Sequence, residues 1–271
     1  MERIRQAVER ASRDRNDKAG AAVSPRRHAS REPAIPVASD IQYSETRNVE
    51  VSLATREKNR LVAAIPGHPM QDIYRMLRTR VLQAMKANSW ATLGVTSPAT
   101  GSGKTLTAIN LAISIARDLS HTALLFDADL RYPSASEYFG FTPEYGLNDY
   151  LFNDVPLNKI LFHPNMNRLT VLPGREPIDE SAEILSSPKL LSLLQELRSS
   201  YADRLIIADI APVLSVDDAL ALAPHIDCML IVVESGATKS ADLHRTLELM
   251  QGIPIIGTVL NKVDSKVTEA Y

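Results

Sequence analysis

The sequence predicts a doubly wound α/β domain: a mostly parallel sheet with helices on both faces. Three observations carry that reading. Short, uninterrupted apolar runs recur at 93–96, 123–126, 205–208, 228–233 and 255–260, the pattern of strands buried on both faces. Stretches with helical apolar spacing lie between them. A glycine-rich turn joins the first run directly to the helix after it, as in strand–helix alternation.

Each element has its own justification. Residues 71–87 contain neither Gly nor Pro and place Ile73, Leu77, Val81 and Met85 four apart, an amphipathic helix. Residues 104–118 form a second helix with Ala108, Leu111, Ala112 and Ile115 on its inner face. Further helices are expected at 189–199, 216–222 and 241–250. The domain is expected to span 61–271. Residues 1–60 differ in kind: a short helix at 1–15 is followed by a segment with Pro25, Pro33 and Pro36 and few apolar residues, read as a disordered linker over 16–60. This leader is either a solvated tail or a docking helix for a membrane protein or anionic lipid, since 1–31 holds nine basic and four acidic residues.

Composition narrows the class. The 271 residues are 45% apolar and 23% charged, values of an ordinary globular chain. No run approaches the roughly 18 apolar residues of a membrane span. The single cysteine, Cys228, cannot form an internal disulfide, which suits a reducing, cytoplasmic setting. Residues 1–60 carry 13 Lys and Arg against 9 Asp and Glu, and the remainder 17 against 23. A basic leader on an acidic body argues against nucleic acid as a partner.

The most informative segment runs from Thr96 to Thr105: Thr-Ser-Pro-Ala-Thr-Gly-Ser-Gly-Lys-Thr. Between a strand and a helix, such a loop turns its backbone N–H groups toward phosphate. Thr100, Gly101, Ser102, Gly103, Lys104 and Thr105 are therefore the expected nucleotide contacts, with Lys104 on the β/γ-phosphates and Thr105 on Mg²⁺. The strict Walker A pattern has Gly where Pro98 stands. Ala99 occupies the place of the lysine that partition and cell-division ATPases extend across a dimer, so close kinship with them is not expected.

Two apolar runs lead into carboxylates: Asp127 and Asp129 after one, Asp209 after the other. Ligands of open parallel sheets sit beyond the carboxyl ends of strands. Asp127 and Asp129 share a parity, so both can face that cleft, or they can cap the next helix. Asp209 has the Walker B position. Asn261, ending the last apolar run, can bond adenine or start the terminal turn.

These residues together resemble the bacterial tyrosine kinases of capsule and exopolysaccharide synthesis. The likeness covers 72–263. It rests on Asp127-Ala-Asp129-Leu-Arg131-Tyr-Pro133, a match to that family's second acidic motif, and on pieces such as Gly146-Leu147-Asn148-Asp149, Asp218-Ala219 and Gly257-Thr258-Val259-Leu260-Asn261. The resemblance implies a P-loop NTPase fold, ATP and Mg²⁺ as cofactors, and phosphoryl transfer to tyrosine. Thr105, Asp127 and Asp209 would hold the metal, with Lys104, Asp127 and Asp129 catalytic and Asp127 the base. Asp72, Arg75 and Arg78 are similar to a self-association motif, implying a homo-oligomer such as a ring. A membrane polysaccharide co-polymerase would be the partner, holding the chain peripherally at the inner face of the membrane. Two departures stand out. The family's Asp-Thr-Pro-Pro is here Asp209-Ile210-Ala211-Pro212, and the tail carries Tyr271 in place of a tyrosine cluster. Those departures keep open a second reading, a nucleotide-dependent assembly switch without kinase activity.

Overall fold

The computed structural model describes residues 46–166, 168–199 and 203–264. The expected helix at 1–15, most of the expected linker, and Tyr271 lie outside the described residues.

Eight strands form one sheet: β1 (Arg47–Asn48), β2 (Thr92–Thr96), β3 (Thr122–Ala128), β4 (Phe162–His163), β5 (Leu169–Leu172), β6 (Arg204–Ile210), β7 (Cys228–Glu234) and β8 (Ile255–Asn261). Their spatial order is β1-β4-β5-β3-β6-β2-β7-β8. Every neighbouring pair is parallel except β4–β5. The predicted class is the observed one.

Side-chain alternation divides the core in two. Leu93, Val95, Leu125, Ile207 and Leu230 face one layer, which contains the helix Lys104–Ala116. Leu124, Phe126, Ile206, Ala208 and Met229 face the other, against the helix Pro188–Ser199. Twelve of the thirteen residues of Lys104–Ala116 are buried, because the helix Met70–Asn88 covers its outer side through Val81 and Met85. Gly94 is required in β2: a Cβ there would collide with the Met229 and Ile210 side chains.

Two expectations are corrected. Residues 46–60, read as linker, are folded from Glu45's successor Thr46 onward. Val51 is 2% exposed, Ser52 caps the helix Leu53–Lys58, and Asn59 Nδ2 donates to the Tyr138 carbonyl at 2.8 Å. Arg47 also lies over the Phe141 ring. The segment has too few apolar residues for a core of its own, but two of them, with Leu61, complete the core of the domain. The second correction concerns strand length. β3 and β6 run through Asp127 and Asp209, because their ladder continues to the pair Ala128–Ile210. Asp127 and Asp209 are inside the strands, whereas Asp129 follows the end of β3 as expected.

Candidate functional site

The loop after β2 positions the site. Gly101 and Gly103 have φ of +80° and +89°, the left-handed region that glycine enters without strain. At Gly103 a second constraint applies: a Cβ would strike the Asn261 carboxamide. Asn261 Nδ2 donates to the Ser102 carbonyl at 2.9 Å. The end of β8 thus braces the loop, a role that sequence reading, which weighed adenine against a turn, did not anticipate.

Four charged side chains converge below the loop. Lys104 Nζ lies 2.7 Å from Asp129 Oδ2 and 3.3 Å from Asp209 Oδ1. The Thr105 hydroxyl donates to Asp209 Oδ2 at 2.6 Å. Asp127 stands opposite Asp209 in the β3–β6 register, on the layer facing the loop helix. Its Oδ2 accepts from the backbone N–H groups of Ser134 and Ala135, both at 2.9 Å, and its Oδ1 is buried without a hydrogen-bond partner. Asp127 therefore does cap the following helix, Ala135–Tyr138, while one oxygen stays free for another purpose. Asp129 Oδ1 accepts from the Tyr132 N–H at 3.2 Å.

The electrostatics follow from burial. Asp127 and Asp209 are fully buried. Desolvation, then the Asp209 charge, pushes the Asp127 carboxyl up to about 8. Desolvation also raises Asp209, although Lys104 and Thr105 pull it back. Burial works against the Lys104 ammonium, but Asp209 and Asp129 more than offset it and its pKa is raised. One ammonium cannot neutralise three carboxylates, so the cluster retains a proton on its acids.

A cleft of about 450 Å³ opens over this cluster, lined by Thr100, Gly101, Gly103, Lys104, Thr105 and Asp129. The same cleft is also lined by apolar and aromatic residues, Tyr132, Tyr138, Ala211, Pro212 and Val216, and by Arg131. Asp129 is at the cleft surface. Asp127, the expected base, lies beneath it. The donor set fits Mg²⁺, a hard cation that takes oxygen ligands and completes its shell with phosphate and water. The orphaned Asp127 Oδ1, the Asp209 carboxylate and the Thr105 hydroxyl are the oxygens concerned.

A family model described as the CobQ/CobB/MinD/ParA nucleotide binding domain matches residues 93–271. The chain belongs to that family. This CobQ/CobB/MinD/ParA domain is also similar to proteins with more specific names. It is 28% identical over 208 residues to the tyrosine-protein kinase Etk of Escherichia coli K12, covering 76% of this chain and 28% of Etk. It is 26% identical to the succinoglycan biosynthesis transport protein ExoP of Rhizobium meliloti, covering 80% and 28%. The chain therefore spans less than a third of the length of these relatives. Among solved structures, the VpsO kinase domain shares 29% identity with a TM-score of 0.65, over 77% of this chain and 98% of that one.

The CobQ/CobB/MinD/ParA site thus gathers Thr105, Lys104, Asp127, Asp129 and Asp209, all expected from sequence. Asp72, Arg75 and Arg78, expected to mediate self-association, lie elsewhere. Arg75 and Asp72 pair at 3.1 Å on the exposed face of Met70–Asn88, whereas Arg78 donates to the Ser114 carbonyl of its own chain at 2.9 Å. Arg131, Tyr132 and Tyr138 were not assigned to the cleft from sequence. Arg131 and Tyr132 stood inside the quoted acidic motif, so a signal for them existed.

Proposed function

We propose that this chain is an ATP- and Mg²⁺-dependent protein-tyrosine kinase domain acting in exopolysaccharide or capsule polymerisation and export. The observation that carries the reading is the cleft, whose lining combines Lys104, Thr105 and Asp129 with two tyrosines, a proline and a valine. The charged and hydroxyl groups suit phosphates, and the aromatic and apolar ones suit an aromatic acceptor. The names of the relatives support the same activity.

In this reading the loop amides and Lys104 hold the triphosphate, with Thr105, Asp127 and Asp209 holding Mg²⁺. The metal supplies charge neutralisation of the phosphates. The acceptor hydroxyl oxygen bonds to the γ-phosphorus, the bond to the β-phosphate oxygen breaks, and ADP leaves. The proton passes to a carboxylate of the cluster. Asp129, at the cleft surface, is better placed for that than the buried Asp127, which keeps its place on the metal side. Lys104 turns from Asp129 toward phosphate and so frees that carboxylate to accept. The adenine would lie near the end of β8, with Asn261 within the same wall of the loop.

Partner and assembly are part of the same proposal. A membrane polysaccharide co-polymerase would recruit the chain to the inner membrane face, consistent with the absence, among the described residues, of any helix long and apolar enough to cross a membrane. Homo-oligomers would form through the helix Met70–Asn88, where Met70, Ile73 and Met76 are exposed beside Asp72 and Arg75. Arg78 would have to exchange its Ser114 bond to join that contact.

The test is mass spectrometry of the purified chain, with and without its co-polymerase, after incubation with ATP and Mg²⁺. Phosphotyrosine that disappears in Lys104→Ala is expected. A second reading, the non-kinase assembly switch, is favoured by one observation: Ile210, in place of the family's threonine, is fully buried in the core and offers the cleft no hydroxyl. Nucleotide-dependent assembly without phosphotyrosine on the chain or its partner would select that reading.

A further inference from the structure

Outside the converging acids, the cleft has a second cation whose setting has no role so far. Arg131 is partly buried, its side chain 31% exposed, and lines the cleft with Lys104 and Thr105. Its Nε lies 3.4 Å from Asp218 Oδ1. Asp218 is fully buried at the first turn of the helix Asp218–Leu222, and the same Oδ1 accepts from the hydroxyl of Ser181, also fully buried, at 2.8 Å. Its Oδ2 has no hydrogen-bond partner. Among the described residues, the terminal nitrogens of Arg131 meet only the exposed Asp217, at 4.0 Å.

This arrangement is costly for a merely structural ion pair. Burying a carboxylate with one oxygen unsatisfied is unfavourable, and an apolar residue would fill the position at less cost. What the arrangement does achieve is orientation. Holding a guanidinium at Nε restricts its rotation and leaves its end-on pair of terminal N–H groups available, a fork suited to two phosphoryl oxygens. Charge supports the same role. Lys104 must serve Asp209 as well as the phosphates, so a second fixed cation in the cleft helps to neutralise a triphosphate entering an acidic cluster.

We infer that Arg131 contacts the phosphoryl group in transfer, and that Asp218, itself held by Ser181, is the positioning residue that aims it. The inference rests on reading the cleft as a phosphoryl-transfer site, and extends it to Arg131 in the turn after β3 and to Ser181 and Asp218, each in the first turn of a helix outside the nucleotide motifs. Arg131 would contribute where charge develops between donor and acceptor, so its removal should weaken binding of the transferring group and leave the rest of the nucleotide alone.

Calorimetric titration of the full chain with Mg²⁺ and ADP, with and without aluminium fluoride as the phosphoryl mimic, separates these terms. Arg131→Lys and Asp218→Asn should each lower affinity for the fluoride complex by about tenfold or more while ADP affinity stays within about twofold. The double variant should be no worse than the worse single one, because Asp218 acts through Arg131. Arg131→Lys carries the test alone if thermal melting shows that Asp218→Asn impairs folding, since its site is partly solvated. Equal losses for both ligands, no loss, or additive losses would overturn the inference while the nucleotide site stands. Wild-type protein that binds no ADP would remove the site itself. Absence of phosphotyrosine would remove the kinase reading but leave this result intact.

Discussion

Asp127 and Asp209 stand directly opposite each other on the adjacent parallel strands β3 and β6, both fully buried and both on the layer that faces the loop helix. Like charges so placed resist simultaneous ionisation. Lys104 relieves the pair from the Asp209 side, while Asp127 receives two backbone N–H groups at Oδ2 and none at Oδ1. The domain holds in advance an arrangement that a divalent cation would satisfy.

One prediction concerns pH. Burial, then the neighbouring Asp209 charge, pushes the Asp127 carboxyl up to about 8, well above the usual carboxylate range. A raised carboxyl binds more proton in the folded than in the unfolded state, so its contribution to stability declines as pH rises from about 4 toward 8. Mg²⁺ with nucleotide must displace that proton. Affinity for Mg²⁺-nucleotide should therefore rise between pH 6.5 and 8.5, with proton release visible as a buffer-dependent heat in calorimetry. Asp127→Asn should flatten the pH dependence of metal-free stability over pH 4–8. A pH-independent affinity with no proton release would contradict the assignment of Asp127 to the metal.

Lys104→Met tests the counter-charge. Removing one partner of a buried ion pair typically costs about 3–5 kcal/mol. The lower end is expected here, because Asp209 can take up a proton once its ammonium is gone. Chemical denaturation at pH 7 should show that loss, and repeating it at pH 5 should show a smaller one. Nucleotide binding should fall by about a hundredfold or more with the charge-assisted contacts to phosphate.

The brace between β8 and the loop makes a third prediction. Asn261→Ala removes the bond to the Ser102 carbonyl, an interaction worth about 1 kcal/mol. Nucleotide affinity should drop roughly fivefold, the same energy, with little change in the melting temperature of the domain. Gly103→Ala should be more severe, since it combines a φ of +89° with a collision against Asn261. The double variant Gly103→Ala/Asn261→Ala should recover part of the loss, as it removes the collision but not the strained backbone.

The amino-terminal segment makes a fourth. Val51 and Leu61 are 2% and 0% exposed. Leu61→Ala should destabilise the domain by about 2–5 kcal/mol, and Val51→Ala by about 1–2 kcal/mol. A chain beginning at residue 61 should melt well below one beginning at 46. Equal stability of the two chains would refute the packing described for 46–60.

Much of this was readable from sequence, and the exceptions have physical causes. The central strands announced themselves because they are buried on both faces, as in 205–208 and 228–233. The loop and its acids were visible because phosphate chemistry demands particular residues at particular spacings. β1 and β4 were not visible: two residues each, Arg47–Asn48 and Phe162–His163, are too short for any periodicity. The segment 46–60 looked like linker because composition averages over a window, and its two apolar anchors are diluted by charged residues facing solvent. Arg131 was quoted as part of a motif yet given no role, since its partner Asp218 is 87 positions away and only the fold brings them together.

The most direct measurement is a crystal structure with Mg²⁺ and a non-hydrolysable ATP analogue. The β- and γ-phosphates should sit in the amides of 100–105, with Lys104 turned from Asp129 onto phosphate and Mg²⁺ about 2.0–2.1 Å from the Thr105 hydroxyl. Asp127 and Asp209 should be directly ligated or joined through one water. Nucleotide bound elsewhere, or Lys104 still paired with Asp129 and Asp209 beside a bound triphosphate, would contradict the account.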